Sequence, residues 1–129
     1  TASWGGMGVM WGSDVAYVVI RQSRFTKEFI DEQKCFSLSF PGEEYRQAMS
    51  YLGSVSGRTE DKLQKTDLHF EYAQGIPYIK EAKQVFLCQV LSQTLLNTED
   101  FVDAGVGKWY EDGDLHTLYI AKIVGVMGN

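Results

Sequence analysis

A mainly β domain with a few peripheral helices is what three features of the sequence predict. Val15-Ala16-Tyr17-Val18-Val19-Ile20 is almost wholly apolar and largely β-branched, the mark of a strand covered on both faces. Cys35-Phe36-Ser37-Leu38-Ser39-Phe40 alternates with a period of two, the mark of a half-buried strand. Two long strand-like runs, Glu81–Leu96 and Leu115–Met127, supply the rest of a core. At 129 residues the chain fits one domain, and its 44% apolar content is enough for a single core. Aromatic residues, at 13%, suit either a β-rich chain or a site for a flat ring.

Taken in order, Thr1-Ala2-Ser3-Trp4-Gly5-Gly6 is expected to be a small-residue loop. Gly5, Gly6, Gly8 and Gly12 permit close approach of a ligand or partner, or else make a flexible entry to the strand Val15–Ile20. After that strand, Arg21, Ser23, Arg24 and Thr26 put four donor side chains into six residues. Ser23 is the expected N-cap of a short helix through about Gln33. Its Phe25, Phe29 and Ile30 are expected to face the core, and Lys27, Glu28, Asp31 and Glu32 to face water. Donors this dense at a helix start suit a phosphate; the plain alternative is two surface arginines with hydroxyl caps.

Pro41-Gly42 makes a turn, and Glu43–Leu52 has the stripe of an amphipathic helix, Tyr45, Ala48, Met49 and Leu52, assigned to core packing. Gly53–Arg58 is a small-residue loop, followed by a short helical segment, Glu60–Thr66, that carries Lys62. His69–Tyr72 is a weak strand, and Gln74-Gly75 opens a turn into an extended stretch. The pattern of Glu81–Leu96 favours a central strand and leaves a helix open. Asn97–Trp109 is an irregular acidic loop whose spacing matches no metal-ligand pattern. Asp112-Gly113 is a turn signal before the last strand, which His116 opens beside Asp114. A lone histidine of that kind is either structural or a site residue.

The formal net charge of −5 argues against a non-specific nucleic-acid role and confines any phosphate site to a local basic cluster, for which Arg21 with Arg24 is the best candidate. Cys35 and Cys88 lack CxxC or CxxH spacing and are expected to be reduced core thiols. No apolar run is long enough for a membrane helix and no signal peptide is visible, so the expectation is a cytoplasmic protein with no membrane partner. A P-loop, GxGxxG, GxSxG and nucleophile–His–Asp spacing are all missing from the sequence.

One ordered set of motifs ties these pieces together: TASWGG, a β-branched strand, RQSRFTKEFI, FSLSF, SGRTEDK, GIPYIKEA and GDLHTLYIAKIVGV. In this order they resemble the flavin reductase-like proteins of the FMN-binding split-barrel superfamily, over nearly the whole chain. The resemblance implies a split β-barrel of about six strands with two or three outer helices, lacking the strand and Asn-containing turn that usually precede the TASW loop. It implies FMN as cofactor, with Arg21, Ser23, Arg24 and Thr26 on its phosphate and Thr1, Ala2, Ser3 and Trp4 along its ring. Lys62 would reach the phosphate or the ring edge, and His116 would border the nicotinamide or acceptor. Related sequences often have Asn near Ser39, and serine there is too short to promise the same contact. The implied activity is NADH- or NADPH-dependent reduction of flavin, hydride passing from nicotinamide to N5, in a homodimer with flavin near the interface. Two alternatives are a flavin-holding electron carrier served by a redox partner protein, and a non-catalytic split-barrel binding module.

Overall fold

Strand β6 (Ala82–Leu95) has a core on each of its faces, and the rest of the fold follows from covering both. The computed structural model describes Ala2, residues 4–54 and residues 66–128. Besides β6, the elements among them are β1 (Gly5–Met10), β2 (Ser13–Arg21), α1 (Phe25–Gln33), β3 (Cys35–Pro41), α2 (Arg46–Ser54), β4 (Phe70–Ala73), β5 (Ile76–Ile79) and β7 (His116–Gly128). Short 3-10 segments precede α2 at Glu43–Tyr45 and lie in the β6–β7 connection at Thr98–Asp100 and Ala104–Tyr110.

Five strands form one antiparallel sheet in the order β1-β2-β7-β6-β3, and β4 and β5 form a separate hairpin. The large sheet does not close on itself. On one face Cys88 of β6 joins Phe36, Ala16, Val18, Ile20, Tyr119 and Ala121, with Ile30 of α1 packed among them. On the other, Val85 and Leu87 meet Ile76 of the β4–β5 hairpin. Tyr119, Ala121 and Ile123 alternate onto the first core, and the irregular register of β7 opposite Leu87/Cys88 changes that alternation so that Met127 packs in the second, with Val124. Tyr119 and Leu87 are at most 1% exposed; full burial of such side chains is worth about 1.5–3 kcal/mol each.

The hairpin does not join the large sheet by a backbone ladder. Instead Ser37 Oγ donates to the Pro77 carbonyl at 2.7 Å, and the Ile79 amide donates to Ser39 Oγ at 3.1 Å. Ser39 is thus engaged with β5.

Several expectations need correcting. The glycine-rich segment after Trp4 is strand β1, paired with β2. Gly5 and Gly6 make room for β2: a Cβ on Gly5 would lie 2.4 Å from the Tyr17 carbonyl oxygen, and one on Gly6 would lie 2.9 Å from the Tyr17 ring. The N-cap of α1 is Arg24, because Ser23 is drawn to Asp114. Only Ile30 of the three apolar residues expected in the core is buried, and Phe29 is 56% exposed, stacked edge-on against Phe25. Asp31 does not simply face water: it accepts from the Tyr119 hydroxyl at 2.6 Å and pairs with Lys27. The stripe expected over Glu43–Leu52 is half-buried at Tyr45, in the 3-10 segment, and at Ala48 and Leu52 of α2, and exposed at Met49, so it is not core. Tyr17 is 44% exposed, so β2 is covered on one face only at that point. The run from Ala82 to Leu95 is strand, as the alternation favoured. Seven strands and two α-helices are found among the described residues, against about six and two or three. Cys35 and Cys88 are free thiols, and burial pushes the Cys88 pKa up to about 11.

Candidate functional site

β2 ends and β7 begins at one corner of the sheet, where Arg21 and His116 are cross-strand partners. The chain on either side is fixed by backbone bonds, Gln22 N–H to the Leu115 carbonyl at 2.9 Å and Leu96 N–H to the His116 carbonyl at 3.0 Å. The Asp112-Gly113 turn that feeds this corner needs φ of +78° at Gly113, which glycine adopts without strain.

Arg21 is committed to this turn. Its guanidinium donates to the Asp114 carbonyl at 2.6 Å and the Trp109 carbonyl at 3.0 Å, lies 3.7 Å from the Asp112 carboxylate, and sits 5.6 Å over the Tyr110 ring. Ser23 does the same from its amide, which donates to Asp114 Oδ1 at 3.1 Å, and from its hydroxyl, which donates to Oδ2. These two residues therefore hold the 109–114 segment in place.

What the segment carries is aromatic. His116 and Tyr110 are buried, and the Tyr110 hydroxyl is 2.8 Å from His116 Nδ1. Phe101 stacks on Tyr110 at 5.4 Å between ring centroids. Trp4 lies 5.0 Å from His116 and meets Trp109 edge-on at 4.9 Å. It remains 41% exposed, so an indole surface is open beside a buried imidazole. Burial, and then the Arg21 charge, push the His116 pKa below 6.5, against a smaller upward pull from Asp114. The imidazole is therefore held toward its neutral form, a hydrogen-bonding group without charge.

The two stretches singled out in the sequence thus meet at this corner: Trp4 touches His116, which pairs with Arg21. Arg24 and Thr26 lie at the start of α1, next along the chain, and are exposed. Aligned peptide dipoles give that end of the helix a partial positive charge. Ala2 is exposed. Thr1, Ser3 and Lys62 lie outside the described residues. Sequence reasoning missed Tyr110, Trp109 and Phe101, and it noted Asp114 only as the neighbour of His116. Their only signal was an adjacent Trp-Tyr pair just before a tight Asp-Gly turn, which puts two large rings next to whatever the following strand begins with.

Comparison with known proteins gives a consistent result. The family model described as "Flavin reductase like domain" matches residues 9–129. Among solved structures, flavoredoxin from Methanosarcina acetivorans superposes with a TM-score of 0.75 at 22% identity, over 99% of this chain and 59% of that one. The FMN-binding protein from Thermus thermophilus, solved with p-hydroxybenzaldehyde, gives 0.71 at 23% identity, over 99% and 62%. The flavin reductase PheA2 gives 0.65 at 22% identity, over 95% and 65%. The chain spans less than two thirds of the length of each. No curated protein matched the sequence.

Proposed function

Because the chain belongs to the flavin reductase-like domain family, with its split-barrel fold, we propose that it binds FMN at the Trp4–His116–Arg21 corner and acts as an NADH- or NADPH-dependent oxidoreductase. The observation that carries this reading is the contact of Trp4 with His116, directly across the ladder from Arg21. It supports the reading because it joins the two stretches that the sequence led us to expect at the ring and at the phosphate. The residues present fit such a ligand: an exposed indole face for a flat ring, and exposed Arg24 and Thr26 at the positive end of α1 for a phosphate.

In this reading the donors expected on the phosphate divide. Arg24 and Thr26 are the ones that meet it, while Arg21 and Ser23 stand behind, fixing the segment that carries Trp109 and Tyr110. When bound, the flavin supplies the hydride-accepting chemistry. The protein holds the ring against Trp4, presents the neutral imidazole of His116 and keeps water off the corner with Trp109 and Phe101. The reading includes a second copy of the chain. Met7, Val9, Met10 and Trp11 of the β1–β2 hairpin are all exposed, an apolar surface on an edge strand of the kind that pairs.

A visible spectrum of the purified protein, with an FMN titration and then NADH or NADPH, tests this. A yellow protein bleached by either nicotinamide is the expected outcome. Bleaching by dithionite or a redox partner protein alone would make it an electron carrier. A protein that stays colourless with FMN would be a non-catalytic binding module, and the flavin reading would fall.

A further inference from the structure

We propose that Tyr110 is the positioning residue of this corner: it holds the imidazole of His116 in one tautomer, with Nε2–H offered to a ligand seated against Trp4. The role of that ligand rests on the flavin reading; the tautomer does not.

Tyr110 is well placed to hold something else still. Both it and His116 are 8% exposed, and hydroxyl and Nδ1 are 2.8 Å apart. The phenol ring is fixed on two sides, by Phe101 stacked at 5.4 Å and by the Arg21 guanidinium 5.6 Å away. Its backbone is fixed as well, since the Tyr110 carbonyl accepts from Gly113 N–H at 2.9 Å. Arg21, the charge nearest this ring, is itself tied to the Trp109 and Asp114 carbonyls.

The direction of the hydrogen bond follows from counting protons. Among the described residues the Tyr110 hydroxyl has His116 Nδ1 as its one partner. If Nδ1 carried the hydrogen and donated, the hydroxyl proton would have no acceptor in a buried place. If the hydroxyl donates, its proton and the Nδ1 lone pair satisfy each other. The hydrogen of the neutral imidazole then sits on Nε2. That nitrogen has no hydrogen-bond partner among the described residues, yet no sealed polar atom there lacks one. Nε2 therefore reaches the surface. The groups around the ring are Trp4 from the chain before β1, Arg21 from β2, Tyr110 from the 3-10 segment and Asp114 from the turn. Burial disfavours the imidazolium and the Arg21 charge reinforces it, against a smaller opposite pull from Asp114, so the ring serves as a neutral donor to an acceptor oxygen or nitrogen on a flat ligand.

Imidazole 15N spectroscopy on the full chain without ligand tests the tautomer directly. The sequence has two histidines, and a His69→Gln variant assigns them. Expected is His116 as a single Nε2–H species, its Nδ1 shifted as an acceptor. In Tyr110→Phe, which keeps the ring and its stacking, a mixture of tautomers is expected. His116 found as Nδ1–H or as a mixture in the unaltered protein, or unchanged by Tyr110→Phe, overturns the proposal. The ligand arm is an FMN titration of Tyr110→Phe, expected to weaken about fivefold to tenfold; equal affinity would overturn that arm. Should the unaltered protein bind no FMN while the tautomer result holds, the flavin reading fails and the hold of Tyr110 on His116 stands.

Discussion

Arg21 and Arg24 are three positions apart and do different jobs, and mutation separates them. Arg24→Ala is expected to weaken FMN binding about tenfold and leave the urea midpoint unchanged, because the side chain is exposed. Arg21→Ala is expected to cost about 2 kcal/mol of stability in urea denaturation, because two carbonyls at a part-buried position lose their charged donor. Equal stability in the two variants would refute the division. His116 adds a pH signature. Its folded pKa lies below the unfolded 6.5, so the unfolded chain binds the proton more readily. The stability it contributes is full above pH 6.5 and is lost as pH falls through the folded value. Denaturation midpoints measured from pH 7.5 down to 5 should decline, and His116→Gln should flatten that slope. The sequence showed the four donors at 21–26 as a group and could not divide them, because Asp114, which claims Ser23 and Arg21, lies about ninety positions away. Nothing local signals such a partner.

At the scale of elements, α1 shows what local pattern reaches and what it misses. Its position and length were legible from helical spacing, while its buried face was overstated, since Ile30 alone is covered. Its Asp31 looked like a solvent residue and is the partner of Tyr119, a strand residue 88 positions on. Burial pushes the Asp31 pKa up, but the bonds from Lys27 and Tyr119 and the charges of Lys27 and Lys34 outweigh it and hold the pKa below 3.8. A carboxylate with a lowered folded pKa lends stability that is present above the unfolded value and lost as pH falls through the folded one. Thermal melts should therefore drop below about pH 4, and Asp31→Asn should reduce the drop; an unchanged acid limb would count against the pairing. The strands at Ala82–Leu95 and His116–Gly128 were readable because their alternation is long. β1 was not, since glycines carry no β pattern and the reason for Gly5 and Gly6 is Tyr17 of the facing strand.

At the scale of the molecule, the open sheet leaves β1 and its hairpin exposed with Met7, Val9, Met10 and Trp11. If two copies pair there, Val9→Lys should shift sedimentation toward the single-chain species with no loss of thermal stability in that species, because Val9 is 74% exposed. A sedimentation profile unaffected by the lysine would place any pairing elsewhere. Barrel-like architecture was legible from the ordered motifs and the fold agrees; the separation into two sheets was not, because it depends on which strands meet. The two hydroxyl links from Ser37 and Ser39 carry one more consequence. A hairpin tethered by side chains can lift without tearing a ladder, so deuterium should reach the β4–β5 amides at far lower opening cost than those of β6 and β7. Solvent would then enter the second core while the first stays shut, and the protein would breathe from one side.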